Sequence, residues 1–242
     1  MRHAEAVPLR RDMETLLRFV RDHKVIGTQG AGNMPLKAVA EVTARFVVPP
    51  KLEDKIGSYT VKVRSEVDLW PLYFLRILAH NAGLLKPGSA RRWRITQKGE
   101  DYLVALPMVQ LPFLLTIWWY RTNWLIAYPF IGMGEALPQM FNLFVLEELL
   151  MRPLATQIFF EEFADTVIAK TGLKWTAPDK RVGTTALHGA IARMVIHILA
   201  DFEAVTREYQ REAGEKKSYS TLAGFTITPL GRALLEAVAI AS

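Results

Sequence analysis

Cysteine is absent from this chain of 242 residues. The absence excludes disulfide bonds, thiolate metal sites and cysteine nucleophiles, and it agrees with a reducing compartment, so we expect the protein in the cytoplasm. The N-terminal segment carries charges at Arg2, Glu5, Arg10 and Arg11 before any long apolar stretch. We therefore expect no secretory signal.

Several sequence signatures of enzymes are also missing. The glycine-rich stretch 27–32 continues as Asn33-Met34-Pro35, whereas a phosphate-binding loop needs Gly-Lys-Ser/Thr running into its helix. No serine lies in a Gly-x-Ser-x-Gly elbow, and neither His-Glu-x-x-His nor the di-iron Glu-x-x-His occurs. These absences predict a non-enzymatic protein with no cofactor.

One acidic group remains as a candidate metal site. Glu161, Glu162 and Asp165 lie within one helical turn, and His188 or His197 could join them. Residues three and four apart on a helix share a face, so the same spacing is typical of a solvated surface. We predict that surface and no metal.

Long uncharged stretches are few, and one of them contains the 18 residues from Leu103 to Tyr120. That length is enough for a membrane-spanning helix. Pro107 and Pro112 interrupt it, and Arg121 ends it. We therefore predict buried helices in the middle of the chain and do not expect a membrane partner.

The formal net charge of +6 is unevenly distributed. Residues 1–106 carry 18 Lys/Arg against 11 Asp/Glu, residues 107–160 carry 2 against 3, and residues 161–242 carry 10 against 10. The excess lies in the first part of the chain. It predicts either an anion-binding surface there, such as one for nucleic acid, or a solvated basic face without a partner.

A short motif occurs twice in the chain. The segments 95–103 and 227–235 both read Ile-Thr-x-x-Gly-x-x-x-Leu, and each follows a β-branched or aromatic run. The threonine hydroxyl can cap the helix that follows, so the motif predicts a strand, a cap and a helix. A helical apolar segment and a polar hairpin precede each copy, which predicts two related modules.

The apolar spacing predicts helices along most of the chain. They are expected at Met13–His23, from Pro35 to Phe46, and at Leu69–Ala82, Leu137–Leu150, Ile158–Ala169, Ala186–Phe202 and Arg232–Ile240. A hairpin is expected from Leu84 to Ile95, with its turn at 86–89, and the second hairpin carries a charged insertion at 207–220.

The segments Leu75–Leu103 and Ile198–Leu235 resemble the winged-helix branch of helix-turn-helix domains. In order, the first segment has Ala82-Gly83-Leu84-Leu85, a basic stretch at 91–94, and Ile95-Thr96-Gln97-Lys98-Gly99. The second copy has Asp201-Phe202-Glu203-Ala204-Val205 where the first has the Gly-Leu-Leu step. The whole arrangement is similar to bacterial proteins with tandem winged helices of uncharacterised type and to the winged-helix segment of XPB-like helicases.

The resemblance implies a recognition helix at Leu69–Ala82, but its composition is unsuited to reading bases. Trp70, Tyr73, Phe74 and Ile77 would face outward. Because groove-reading helices present polar side chains, we expect the apolar central segment or a second chain to cover this helix.

The wing is the better candidate for contact with double-stranded DNA. Its residues combine basic side chains with one aromatic ring, as phosphate and minor-groove contacts require. The predicted nucleic-acid-binding residues are Lys86, Arg91, Arg92, Trp93, Arg94 and Lys98. On a strand, Arg92 and Arg94 would face one way and Arg91 and Trp93 the other. The alternative is that Trp93 packs in the core and the arginines solubilise an edge strand.

A second function remains open, that of a protein-interaction scaffold which forms a homodimer or binds a protein partner. Its predicted interaction surface is aromatic and consists of Trp70, Phe74, Trp118, Trp119 and Trp124.

The sequence therefore predicts a mainly α protein with small β-hairpins, of the α+β class. We expect an N-terminal winged-helix module at 1–106, a helical connector at 107–157 and a C-terminal winged-helix module at 158–242. The first hypothesis for function is non-enzymatic DNA binding, in transcription regulation or as an accessory factor.

Overall fold

The computed structural model describes residues 2–30, 32–56, 59–127, 137–175, 180–211 and 220–241. The fold is α+β, with many helices and small antiparallel sheets, as predicted. The chain forms two compact units, Met1–Thr122 and Asn123–Ser242. This division differs from the predicted three parts, because the segment 107–157 is no separate connector: its two longer helices belong to different units.

The first unit has six helices and two hairpins within its described residues. The helices are α1 (Arg2–Ala6), α2 (Pro8–Asp22), α3 (Leu36–Thr43), α4 (Trp70–Asn81), α5 (Gln97–Val104) and α6 (Pro107–Arg121). The strands are β1 (Glu53–Ile56), β2 (Tyr59–Lys62), β3 (Leu85–Pro87) and β4 (Trp93–Ile95). Both hairpins are antiparallel, and the one formed by β1 and β2 lies between α3 and α4 in the chain.

A short extended segment after α2 lies beside the second hairpin. Ile26 forms an isolated antiparallel bridge with Arg92. The backbone N–H of Gly27 donates to the carbonyl of Arg91 at 3.0 Å, and that of Trp93 donates to Val25 at 2.9 Å. Apart from α1, α6 and the hairpin of β1 and β2, the first unit therefore has the order helix, extended segment, two helices, hairpin and helix.

Helix α4 forms the centre of the first unit. Its buried residues are Leu72, Phe74, Leu75, Leu78 and Ala79. The Phe74 ring meets the Trp118 ring of α6 edge to face, with centroids 5.4 Å apart. The expectation that the apolar central segment covers this helix is confirmed, since α6 packs against it.

The second unit repeats this order of elements. Its helices are α7 (Phe141–Met151), α8 (Phe160–Thr171), α9 (Lys180–Ile191), α10 (Ile198–Asp201) and α11 (Pro229–Ile240), and a π-helical segment (Ala192–His197) joins α9 to α10. The strands are β5 (Gln157–Phe159), β6 (Val205–Arg211) and β7 (Ser220–Ile227), in the sheet order β5-β7-β6. The sequence had predicted helix where β5 lies.

The duplicated motif makes the same contacts in both units, and the predicted threonine caps are confirmed. Thr96 accepts a hydrogen bond from the N–H of Gly99 at 3.1 Å, and Thr228 accepts one from Gly231 at 2.9 Å. The same hydroxyls donate to carbonyls at the preceding helix ends, Gly83 at 2.7 Å and Glu203 at 2.8 Å. Each threonine therefore joins the closing helix to the start of its hairpin.

The helices before the two hairpins also end alike. Gly83 has a left-handed backbone, with φ of 70°, and Glu203 adopts the same conformation with φ of 54°. The second copy lacks the Gly-Leu-Leu step, but its helix therefore ends in the same left-handed conformation as that of the first copy.

The predicted uncharged stretch from Leu103 to Tyr120 is divided between α5 and α6. Within the described part of the chain, one helix, Val182–Asp201, has the length and apolar composition of a membrane span, and about half of it is buried inside the protein. Its buried side chains include Ile191, Val195 and Leu199. It is the core helix of the second unit.

His197 lies at the end of the π-helical segment, and its side chain is half-buried. Burial lowers the pKa of His197 to about 4, and the nearby charge of Arg207 acts in the same direction.

Candidate nucleic-acid interface

The hairpin of β3 and β4 presents its basic residues on one face. Lys86 lies directly opposite Arg94 in the antiparallel register, and both are exposed. Leu85 and Trp93, whose positions alternate with theirs, are buried. Strand alternation therefore directs two cations to solvent and two apolar groups to the core.

The turn of this hairpin adds two more exposed cations. Ala90 and Arg91 both have left-handed backbones, with φ of 53° and 59°. Because Arg91 lies in this turn and not in the strand, it does not share the buried face of Trp93, which corrects the predicted alternation. Arg91 and Arg92 are both exposed. We call Lys86, Arg91, Arg92 and Arg94 the basic wing.

Gly88 leaves room for the Arg94 side chain to cross the turn. A Cβ atom at position 88 would lie 2.9 Å from Nε of Arg94 and 3.0 Å from the carbonyl oxygen of Arg92. The N–H of Gly88 also donates to that carbonyl at 2.7 Å, which closes the turn. A glycine here thus keeps the guanidinium close to the hairpin backbone.

The charges of the basic wing are not neutralised within the described residues, where none of its four members forms a salt bridge. The hairpin of β1 and β2 is different. There Lys62 lies opposite Glu53, and the two form a salt bridge at 2.8 Å.

Trp93 packs in the core, as the alternative considered for its side chain predicted. Its side chain is buried, and its indole N–H donates to the carbonyl of Gly32 at 3.1 Å. The Arg76 guanidinium lies 5.6 Å from the ring centroid. The Trp93 ring is therefore closed to a ligand, which removes it from the predicted nucleic-acid-binding set.

No described contact connects Lys98 with the basic wing. Its ammonium group lies 4.8 Å from the ring centroid of Phe113 in α6. The exposed Lys98 side chain borders a small apolar groove with Tyr102 and Phe113. It thus faces the junction of α5 and α6.

The polar side chains of α4 are mostly engaged inside the first unit. Arg76 pairs with Glu66, which is fully buried and also accepts a hydrogen bond from the N–H of Met34 at 2.6 Å. Asn81 donates to the Thr122 hydroxyl at 3.1 Å. As a result, α4 keeps few polar groups with which it could read base edges.

The predicted aromatic interaction surface is largely core. Phe74, Trp118, Trp119 and Trp124 are each at most 3% exposed. Trp70 is half-buried and stacks on Phe74, with ring centroids 5.2 Å apart. These rings stabilise their own units and do not form an accessible surface. The scaffold hypothesis therefore loses the residues on which it depended.

The hairpin of the second unit carries few described cations. Arg207 is exposed and lies 5.7 Å from the ring centroid of Tyr209. The Gln157 side-chain amide donates to Glu208 on the same sheet. Most of the predicted charged insertion, at 212–219, lies outside the described residues.

Sequence reasoning missed a second group of cations in the first unit. Arg11 and Arg18 of α2 border a surface cleft together with Arg45, which follows α3. The seven-residue spacing of the first two places them on one helix face, and this was the signal available in the sequence. Arg45 gave no such signal because it is distant in the chain.

The acidic group considered for a metal is not assembled. Among the residues that the structure describes, no three histidine and acidic side chains come close enough to hold a metal ion. The Asp165 carboxylate accepts a hydrogen bond from Nε2 of His188 at 2.9 Å, which links α8 to α9.

Comparison with known proteins adds one family match. Residues 5–107 match the family model described as the Y4jL N-terminal domain, which is less than half of the chain. No curated protein matches. Among solved structures, the chain is similar to the restriction endonuclease FokI bound to DNA, with 14% identity and a TM-score of 0.33 over 89% of this chain. The match spans 36% of that protein.

Proposed function

We propose that the first unit is a winged-helix module that binds double-stranded DNA through the basic wing, and that the protein acts without catalysis as a regulator or accessory factor on DNA. The order of helices, extended segment and hairpin supports the winged-helix assignment. The second unit repeats that order, and we propose the same module for it. The first unit carries 19 Lys/Arg against 11 Asp/Glu, and the second carries 11 against 13.

The observation that carries the proposal is the pair of like charges at Lys86 and Arg94. Like charges directly opposite each other on a hairpin destabilise it, by up to about 1 kcal/mol. In the hairpin of β1 and β2, the directly opposite residues Glu53 and Lys62 form a salt bridge, so this destabilisation is absent there. A phosphate between Lys86 and Arg94 would remove the repulsion, since it supplies the missing negative charge.

The proposed mode of binding depends on the DNA backbone. Helix α4 is packed against α6, and its Arg76 is paired inside the protein. We therefore do not propose that this helix reads base edges in the major groove. Contacts from an arginine-rich hairpin to phosphates or to the minor groove tolerate many sequences, so we expect weak sequence preference.

The test is binding of a fluorescent random duplex across a salt series. The variant R91A/R92A/R94A should weaken binding by about 10-fold to 100-fold at low salt, because three phosphate contacts are lost. The slope of log affinity against log salt should fall by about one for each arginine removed.

The matched control is K51A/K55A/K62A, which removes the same charge from β1, β2 and the chain just before β1. It should retain most of the affinity and of the salt slope. Equal binding by the wing variant and the parent would refute the proposal. Equal weakening by both variants would show that net charge alone is responsible.

A further inference from the structure

A surface cleft of about 530 Å³ opens between α2 and the chain that follows α3. Its lining is mostly polar and basic. The lining residues are Arg11, Glu14, Thr15, Arg18, Arg45, Phe46 and Val47. The volume lies in the range of small-molecule sites, and three guanidinium groups border it.

Packing holds the two sides of the cleft together. The Asp12 carboxylate of α2 accepts a hydrogen bond from the N–H of Val47 at 2.8 Å. The Arg45 guanidinium lies 5.4 Å from the centroid of the Phe19 ring, which is buried. Arg45 follows α3 in the chain, and its cation–π contact with Phe19 therefore holds it against α2.

The single acidic residue in the lining is already neutralised from within the protein. The carboxylate of Glu14 accepts hydrogen bonds from Arg10 at 2.6 Å and from the side-chain amide of Gln110 at 3.1 Å. Arg10 is itself buried. Because Glu14 faces this buried cation, it opposes an anion in the cleft less than a free carboxylate would.

The three arginines of the lining keep their charge available. Arg11, Arg18 and Arg45 are exposed, and none forms a salt bridge within the described residues. Their mutual repulsion is not offset by a salt bridge among the described residues. A guanidinium presents its N–H donors in a planar fork that matches the oxygens of a phosphate.

We infer that this cleft is a binding site for a phosphate group, held by Arg11, Arg18 and Arg45. The phosphate comes from one of two sources, the DNA backbone or a free phosphorylated small molecule. The site is defined by its own geometry and does not depend on the basic wing.

Isothermal titration of the 242-residue chain with pyrophosphate tests the site. The double variant R18Q/R45Q should bind pyrophosphate at least about tenfold more weakly than the parent, since it loses two charge-assisted hydrogen-bonding partners. The single variant Arg11→Gln should show a smaller loss. Lys37→Gln removes an exposed cation from α3 outside the cleft and should bind like the parent.

Unchanged pyrophosphate affinity in R18Q/R45Q would overturn the inference, and so would an equal loss in Lys37→Gln. The thermal unfolding midpoint of each variant verifies folding. If R18Q/R45Q is destabilised, Arg11→Gln and Arg45→Lys provide the test in a folded protein. Absence of pyrophosphate binding by the parent would also overturn the inference.

Titration of the same variants with duplex DNA identifies the source of the phosphate. Weaker duplex binding by R18Q/R45Q would assign the site to the DNA backbone. Unchanged duplex binding, together with lost pyrophosphate binding, would assign it to a free phosphorylated molecule. If R91A/R92A/R94A binds duplex like the parent while R18Q/R45Q loses pyrophosphate, the wing proposal fails and the cleft stands.

Discussion

At the scale of single residues, Glu203 has a left-handed backbone conformation that its side chain disfavours. Glu203 has φ of 54°, whereas the first unit has Gly83 at the equivalent helix end. Left-handed backbones cost a residue with a Cβ about 1–2 kcal/mol, and glycine avoids that cost. The sequence alone indicated a departure from the first copy, but it could not show that the backbone is the same.

Glu203→Gly should therefore stabilise the second unit. We expect a gain of about 0.5–1 kcal/mol in the free energy of unfolding, because the relief of strain exceeds the entropy that glycine adds to the unfolded chain. Urea denaturation measures the change. Glu203→Ala is the control, since it keeps the Cβ and should give no such gain; an equal gain from both variants would attribute the effect to the lost carboxylate.

At the scale of elements, the two closing helices depend on glycines that approach the preceding hairpin closely. A Cβ at Gly231 would lie 1.8 Å from the carbonyl oxygen of Ala204, and one at Gly99 would lie 2.5 Å from that of Leu84. Both threonine caps were predictable because capping is local in the chain. The close approach of the glycines was not, since it joins residues far apart in the sequence.

These distances rank two substitutions. Gly99→Ala should cost about 1–3 kcal/mol of unfolding free energy, which is the usual range for overpacking, although alanine favours a helix. Gly231→Ala should cost more, because its contact is with backbone at a shorter distance. Chemical denaturation measures both. A larger loss at Gly99 would contradict the structure of the second unit near Ala204.

The elements also show why the aromatic residues were misjudged. Helical spacing correctly placed α4, but it placed Phe74 on the outward face, whereas the Phe74 side chain is buried. The spacing cannot reveal which other helix covers the remaining face. Once α6 packs there, Phe74 and Trp118 become core. In the same way, β5 was missed because three residues carry too little pattern to separate a strand from the adjoining helix.

At the scale of the whole molecule, charge separates the two units. The excess of basic residues lies in the first unit, together with the basic wing and the arginine cleft. This difference in charge was predictable from the sequence because it requires only a count of the charged residues. The cleft was not, since Arg45 reaches Arg11 and Arg18 only after α3 packs on α2.

A fragment of residues 1–122 should therefore bind duplex DNA nearly as well as the full chain, while a fragment of residues 123–242 should bind weakly. The physical reason is that the basic wing and the three arginines of the cleft belong to the first unit. Fluorescence anisotropy at low salt measures both affinities, and circular dichroism verifies that each fragment is helical. Comparable affinity of the second fragment would contradict the assignment of binding to the basic wing.

The burial of Trp93 gives the wing an internal spectroscopic label. The residue lies between Arg92 and Arg94 in the chain, and its indole is fixed to the carbonyl of Gly32. The protein has six tryptophans, so biosynthetic fluorination gives a fluorine NMR spectrum with few resonances, and Trp93→Phe assigns the one from this site. The chemical shift of this resonance should change when a ligand binds Arg92 and Arg94, although the ligand does not contact the buried Trp93 ring.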